Sequence, residues 1–193
     1  MNQMKKNIIV VLIIVALIGL LVISKKLSNE KKIDKENVNI EIVIKDYGTI
    51  RAELYPNIAP ITVENFVSLV ESKYYDGLRL HRIIEGFMMQ GGNGAMMPTI
   101  KGEFNLNGVT NNLLHTRGVL SMARPDDLNG ASTQFFIVQE VASHLDTKYA
   151  SFGMVTEGME VVDEICNNVP VTDNNGTVLL ENQPVIESIR IIK

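Results

Sequence analysis

The sequence predicts a mainly β protein: a closed antiparallel barrel of about eight strands capped by two α-helices, preceded by one N-terminal transmembrane helix. Three observations lead there. The chain opens on an unbroken run of sixteen apolar residues, Ile8 to Ile23, set between lysines. From Val38 onward, short apolar or alternating runs are separated by Gly, Asn and Pro, the pattern of short strands. Only two stretches of that region, one near each end, carry apolar residues at helical spacing. Closure is expected because it removes exposed sheet edges.

The elements follow in chain order. Residues 1–7 are a short basic N-terminus, 8–24 a signal-anchor helix, 25–37 a charged tether and 38–193 the folded domain. A sixteen-residue helix is about 24 Å long, somewhat less than a hydrocarbon core of about 30 Å. Ser24 and the snorkelling stems of Lys5, Lys6, Lys25 and Lys26 cover the difference. The alternative is a cleaved signal peptide and a secreted domain, but Leu21-Val22-Ile23-Ser24 lacks a small-x-small cleavage site. Residues 1–35 hold seven lysines against two acidic residues, a net of +5, so the overall charge of −4 leaves −9 on the rest. Lysines flank both sides, so the positive-inside count leaves the orientation open; the basic head before an acidic domain suggests a single-pass protein of the cell membrane with its domain on the extracytoplasmic side. The absence of a basic stripe argues against nucleic acid as a partner.

Val38 to Lys45 alternates apolar and polar residues, Asp46-Tyr47-Gly48 supplies a turn, and 49–54 alternates again, so a hairpin opens the domain. Pro56 and Pro60 are read as breaks. Thr62 to Glu71 places Val63, Phe66, Val67 and Val70 on one helical face, with Thr62 as its cap. The runs RLHRII, FMMQ, GVLSMA, QFFIV and YASFGMV read as short strands joined by loops. A second helix is expected over Gly158–Asn167, with Met159, Val162, Ile165 and Cys166 on its inner side. PVIESIRII at 184–192 alternates and closes the chain as a strand. Cys166, the single cysteine, excludes an intramolecular disulfide and a zinc site of several thiolates.

Several chemistries lack their motif. There is no G-x-S-x-G, no H-E-x-x-H and no phosphate-cradling loop. His81, His115 and His144 lie far apart in sequence, and Ser121 and Ser132 have no base nearby in the chain. Asn175-Gly176-Thr177 reads as a turn that matches a glycosylation pattern by chance. Three segments stand out instead: 80–92, 118–138 and 144–155. They mix Phe, Met and Leu with Arg and Gln, which suits an apolar pocket with a few polar contacts for a small ring attached to an amide.

These segments resemble the cyclophilin family of peptidyl-prolyl cis–trans isomerases. HRII-x-GFM-x-QGG runs from His81 to Gly92, and LD-x-KYA-x-FG from Leu145 to Gly153. Leu120 to Ile137 ends in Asn-Gly-Ala-Ser-Thr-Gln-Phe-Phe-Ile, close to the family's signature stretch. The resemblance covers residues 38–193 and implies the family's eight-stranded barrel with two helices. It implies Arg82 as the catalytic arginine and Phe87, Met88, Phe136 and Leu145 as the proline pocket. Gln90 and Gln134 become polar substrate contacts, and Ala123 and Arg124 line the substrate backbone. His144 stands where many eukaryotic members carry Trp, and Tyr149 where many carry His; both are expected at the substrate rim. The implied partners are proline-containing polypeptides, with no cofactor or metal and a monomeric chain. A proline-peptide holding module with little turnover is the alternative function.

Overall fold

The computed structural model describes residues 35–193. The apolar run expected to span a membrane lies outside the described residues, as does most of the tether. Among the described residues no helix is long and apolar enough to cross a membrane.

Val38–Ile44 (β1) and Gly48–Leu54 (β2) form the expected hairpin, with Val38 opposite Leu54 and Ile44 opposite Gly48. Alternation sends Ile40, Ile42, Ile44, Ile50, Ala52 and Leu54 into the core. It leaves Glu41 facing Arg51 outside, and Arg51 also donates to Glu157 at 2.9 Å. The remaining strands are Leu80–Ile84 (β3), Met88–Gly91 (β4), Val119–Met122 (β5), Phe135–Val138 (β6), Ser151–Glu157 (β7) and Ile186–Ile192 (β8). All neighbours pair antiparallel in the order β3-β4-β6-β5-β7-β2-β1-β8.

The barrel is less closed than the sequence reading has it. β3 and β8 are the edges of one curled sheet, a half-barrel, and they meet only near a single bridge, Arg79 with Val185. The backbone bonds there are Gly77 N to Ile186 O at 2.8 Å, Ile186 N to Leu78 O at 2.8 Å and Leu80 N to Pro184 O at 2.9 Å. Further along, the free edge of β3 is covered by a loop: Ile83 N donates to Gly176 O and Val178 N to His81 O. Gly176 has φ +80, and a Cβ there would lie 2.2 Å from Ile83 O, so only glycine permits this approach.

The first helix, Pro60–Glu71 (α1), corrects two expectations. Pro60 does not break the chain but begins the helix, where its missing N–H costs nothing. Thr62 is not the cap, and the capping position, Ala59, makes no side-chain bond. The helix is capped instead from a distant loop by Glu103, which is 2% exposed. Its Oε1 accepts from Ile61 N at 3.1 Å, and its Oε2 accepts from both the amide and the hydroxyl of Thr62 at 2.7 Å. A carboxylate at a helix N-terminus also meets the positive end of the helix dipole. From α1, Phe66 plugs the barrel interior, its ring 5.1 Å from Tyr75, 5.3 Å from Phe135 and 5.1 Å from Phe152.

The second helix, Met159–Asn168 (α2), buries Val161, Val162, Ile165 and Cys166. Cys166 is a core residue, and burial pushes its thiol up to about 12. Gly158, placed in the helix by the sequence reading, is instead its left-handed N-cap.

Candidate active site

Two apolar clusters occupy opposite faces of the sheet. The larger fills the barrel; the smaller holds Met88, Val119, Phe136, Val138 and Leu145. In β6, Phe135 and Ile137 point into the barrel while Phe136 and Val138 point outward, so all four are buried. This is why the run QFFIV shows no alternation.

One cross-strand row positions the site. Arg82 of β3 lies opposite Gln90 of β4, Gln90 opposite Phe136 of β6, and Phe136 opposite Ser121 of β5. A second row on the same face runs Ile84, Met88, Val138. Residues opposite one another across paired strands project from the same face, so register alone brings together side chains from the segments 80–92 and 118–138. A cavity of about 350 Å³ opens on this face. Met88, Phe136 and Leu145 form its buried floor, and Phe87 and Tyr149 its partly buried walls. Arg82, Gln90, Ala123, Arg124 and His144 complete the lining. The ring of His144 packs 5.2 Å from that of Phe87, and Tyr149 meets Phe136 edge-on at 6.1 Å.

Gln134 is set apart from this group. It lines a neighbouring cavity of about 290 Å³, which shares Gln90, Ala123 and Arg124 with the first and adds Pro125 and Ser132. Gln134 still belongs to the same polar chain. Arg82 Nη1 donates to Gln90 Oε1 at 3.3 Å, Gln90 Nε2 to Gln134 Oε1 at 2.9 Å, and Gln134 Nε2 to Asn93 Oδ1 at 3.4 Å. The turn after β4 fits because Gly92 has φ +83 and a Cβ there would lie 2.6 Å from Thr133 O.

Asn175 has no place among the sequence-predicted site residues, yet it holds the arginine. Arg82 Nε donates to Asn175 O at 2.9 Å and Nη2 to Asn175 Oδ1 at 3.3 Å. A guanidinium carries more N–H groups than these acceptors and Gln90 consume, so donors remain for a ligand at the cavity mouth. Arg124 is a different kind of lining residue. Its Nε and Nη2 donate to Lys148 O at 3.1 and 3.0 Å, and its Nη1 to Pro125 O at 2.8 Å and Asp126 O at 3.2 Å.

The structure also corrects the view that Ser121 lacks a base. His115 Nε2 lies 3.0 Å from Ser121 Oγ, and His115 Nδ1 lies 3.0 Å from Asp146 Oδ1. The carboxylate only accepts, so Nδ1 carries the hydrogen and Nε2 accepts from the serine. This is not a nucleophilic site: Ser121 is 0% exposed and His115 1%. The imidazole stacks behind Phe136 at 6.1 Å and ties the segment carrying Leu145 to β5.

Burial holds both His115 and His81 below the usual imidazole range; for His115 it outweighs the opposing pull of Asp146. With the folded value depressed, the unfolded chain takes up protons first as pH falls, so the stability present above the unfolded value is lost. Folding stability is therefore expected to drop between about pH 7 and about pH 5. Urea unfolding at the two pH values checks this: the midpoint should be lower in acid, and His115→Gln should flatten the difference. An unchanged or higher acid midpoint would contradict it.

Known proteins share this chain's fold and sequence pattern. The family profile described as cyclophilin type peptidyl-prolyl cis-trans isomerase/CLD matches residues 39–193. A peptidyl-prolyl cis-trans isomerase of Acinetobacter baylyi is 39% identical over 186 residues, covering 90% of this chain and 91% of the relative. Peptidyl-prolyl cis-trans isomerase B of Bacillus subtilis is 42% identical over 131 residues, covering 65% of this chain and 88% of its own. Among solved structures, a cyclophilin type peptidyl-prolyl cis-trans isomerase of Cryptosporidium parvum superposes with TM-score 0.71 at 26% identity, over 82% of this chain and 99% of that one. The same Cryptosporidium protein in the presence of the dipeptide Ala-Pro gives TM-score 0.69 at 26% identity, over 80% and 99%.

Proposed function

This chain belongs to the cyclophilin-type peptidyl-prolyl cis-trans isomerases, and from that membership we propose that it turns Xaa-Pro bonds of exported polypeptides by aiming Arg82 at the twisting amide. The observation behind this mechanism is the cross-strand row that sets a guanidinium at the mouth of an apolar cavity floored by Phe136.

Rotation about a peptide bond meets a barrier of about 18–20 kcal/mol, because the nitrogen lone pair is shared with the carbonyl. No bond breaks and no proton leaves. Catalysis requires only that the twisted state, with its lone pair localised on nitrogen, be bound more tightly than either planar isomer. The proline ring seats against Phe136, Met88 and Leu145, with Phe87 beside it. Gln90 and the backbone at Ala123 grip the flanking amides, and Tyr149 and His144 line the rim. The free N–H groups of Arg82 then point at the nitrogen and favour its localised lone pair. Asn175 and Gln90 keep the guanidinium oriented, so no reorganisation is needed when the amide twists. A rate gain of about 10⁵ asks for roughly 7 kcal/mol. A single preorganised donor supplies about 3 of that, and positioning of the ring and the flanking carbonyls supplies the rest.

The apolar run 8–23, set between lysines, supports an anchor; an extracytoplasmic, monomeric domain is part of the same proposal. Intact mass of the native protein and extraction of membranes at alkaline pH test the anchor. A chain that starts after Ser24, or one released by alkali, defeats it. For the activity, the purified chain should accelerate cis-to-trans conversion of an Ala-Pro peptide catalytically. Binding of the peptide without turnover would favour a holding module instead.

A further inference from the structure

Arg124 lies between the two cavities, half-buried, and four of its five N–H groups donate to backbone carbonyls of its own protein. Its guanidinium carbon sits over two rings, 5.1 Å from the centroid of Phe104 and 4.7 Å from that of Tyr149. Its edges donate to Lys148 O twice and to Pro125 O and Asp126 O. The elements it joins are distant in the chain: the loop that carries Phe104, the wall at 123–126, and the segment 145–149 that brings Leu145 and Tyr149 to the cavity.

We infer that Arg124 is a positioning residue, a clamp that holds Tyr149 and the 123–126 wall in place rather than a group that touches the substrate. Three features point to this. Each cation–π contact is stabilising, more so where water is excluded, and both rings lie within reach of one cation. A planar fork can lie on an aromatic ring while donating from its edges; an ammonium cannot do both. Tyr149 in turn meets Phe136 edge-on, so a loosened Tyr149 loosens the pocket floor. The inference rests on the isomerase reading of the site, but it concerns how the wall is built rather than which group acts on the amide.

The test is a double-mutant cycle in kcat/KM with the full chain. Arg124→Lys keeps the charge and is expected to lower kcat/KM by about 5–30-fold, the equivalent of about 1–2 kcal/mol. The factor should be the same for peptides with Glu, Ala or Lys before the proline. In a Tyr149→Leu background the same substitution should cost less than about 2-fold, because the two residues act as one unit. Three results would overturn the clamp: wild-type activity in Arg124→Lys, a loss confined to the acidic peptide, or independent, multiplicative effects of the two changes. If instead the wild type fails to isomerise, or Arg82→Ala is as active as wild type, the function is misread. The clamp is then decided on the free protein by hydrogen exchange and aromatic NMR. Arg124→Lys should shift the Tyr149 ring signals and speed exchange in segment 145–149 by about 5-fold or more; unchanged spectra and exchange would sink it.

Discussion

Replacing Arg82 by alanine is expected to lower kcat/KM for Xaa-Pro isomerisation by about 10²–10³-fold, or about 3–4 kcal/mol of transition-state stabilisation, while the domain stays folded. The magnitude is that of deleting one preorganised donor at a centre where charge localises. Folding should survive because Arg82 is only half-buried, on an edge strand, and β3 keeps its backbone bonds to the 176–178 loop through Ile83 N and His81 O. Arg82→Lys should fall nearly as far. A lysine keeps the charge, but it cannot donate to Asn175 O, Asn175 Oδ1 and Gln90 Oε1 from a rigid plane and still present oriented N–H groups. A peptide isomerisation assay beside thermal unfolding checks both halves. Loss of activity together with loss of the folding transition would not support the catalytic role.

Glu103→Ala carries the second large effect, this time on stability: about 3 kcal/mol, which at this chain length lowers Tm by roughly 6–12 °C. The carboxylate accepts three hydrogen bonds at the start of α1, and Ala59 offers no substitute. Truncation leaves the amides of Ile61 and Thr62 and the Thr62 hydroxyl without their acceptor, Thr62 being 0% exposed. The helix loses its anionic cap as well. Glu103→Gln retains one carbonyl acceptor and should cost about half as much. Thermal unfolding of both variants tests the cap; a Tm within about 2 °C of wild type for Glu103→Ala would contradict it.

How far the molecule can be read from its chain depends on which faces each element buries. The β1–β2 hairpin and β8 declare themselves because one face meets the core and the other meets water, so apolar and polar residues alternate. β5 and β6 are buried on both faces and show only an apolar run; that run says strand without saying that Phe136 belongs to a second cluster. Arg82, Gln90 and Phe136 were reachable through motifs that resemble a known family, and the register then explains why motifs so far apart converge. Asn175, His115 and Asp146 left no such signal. Asn175 meets Arg82 across 93 residues, and Asp146 meets His115 across 31. Pairings of that separation exist only after the sheet has assembled. The capping error at α1 has the same origin: Thr62 is a reasonable local cap, but tertiary structure delivers a carboxylate from 41 residues away. The open edges of β3 and β8 have no sequence mark, because a contact tied by a few backbone bonds leaves no pattern in a single chain.

On the proposed mechanism, Arg82, oriented by Asn175 and Gln90 above the Phe136 pocket, converts proline binding into turnover. Exchange NMR on a saturating Ala-Pro peptide tests it most directly, because it reads binding and isomerisation in one sample. The wild-type chain should produce strong cis–trans exchange cross-peaks on a timescale far shorter than the uncatalysed tens to hundreds of seconds. With Arg82→Ala the peptide signals should still shift on binding while those cross-peaks disappear. Cross-peaks of undiminished intensity with Arg82→Ala, or a wild-type chain that binds the peptide without exchange, would contradict the account.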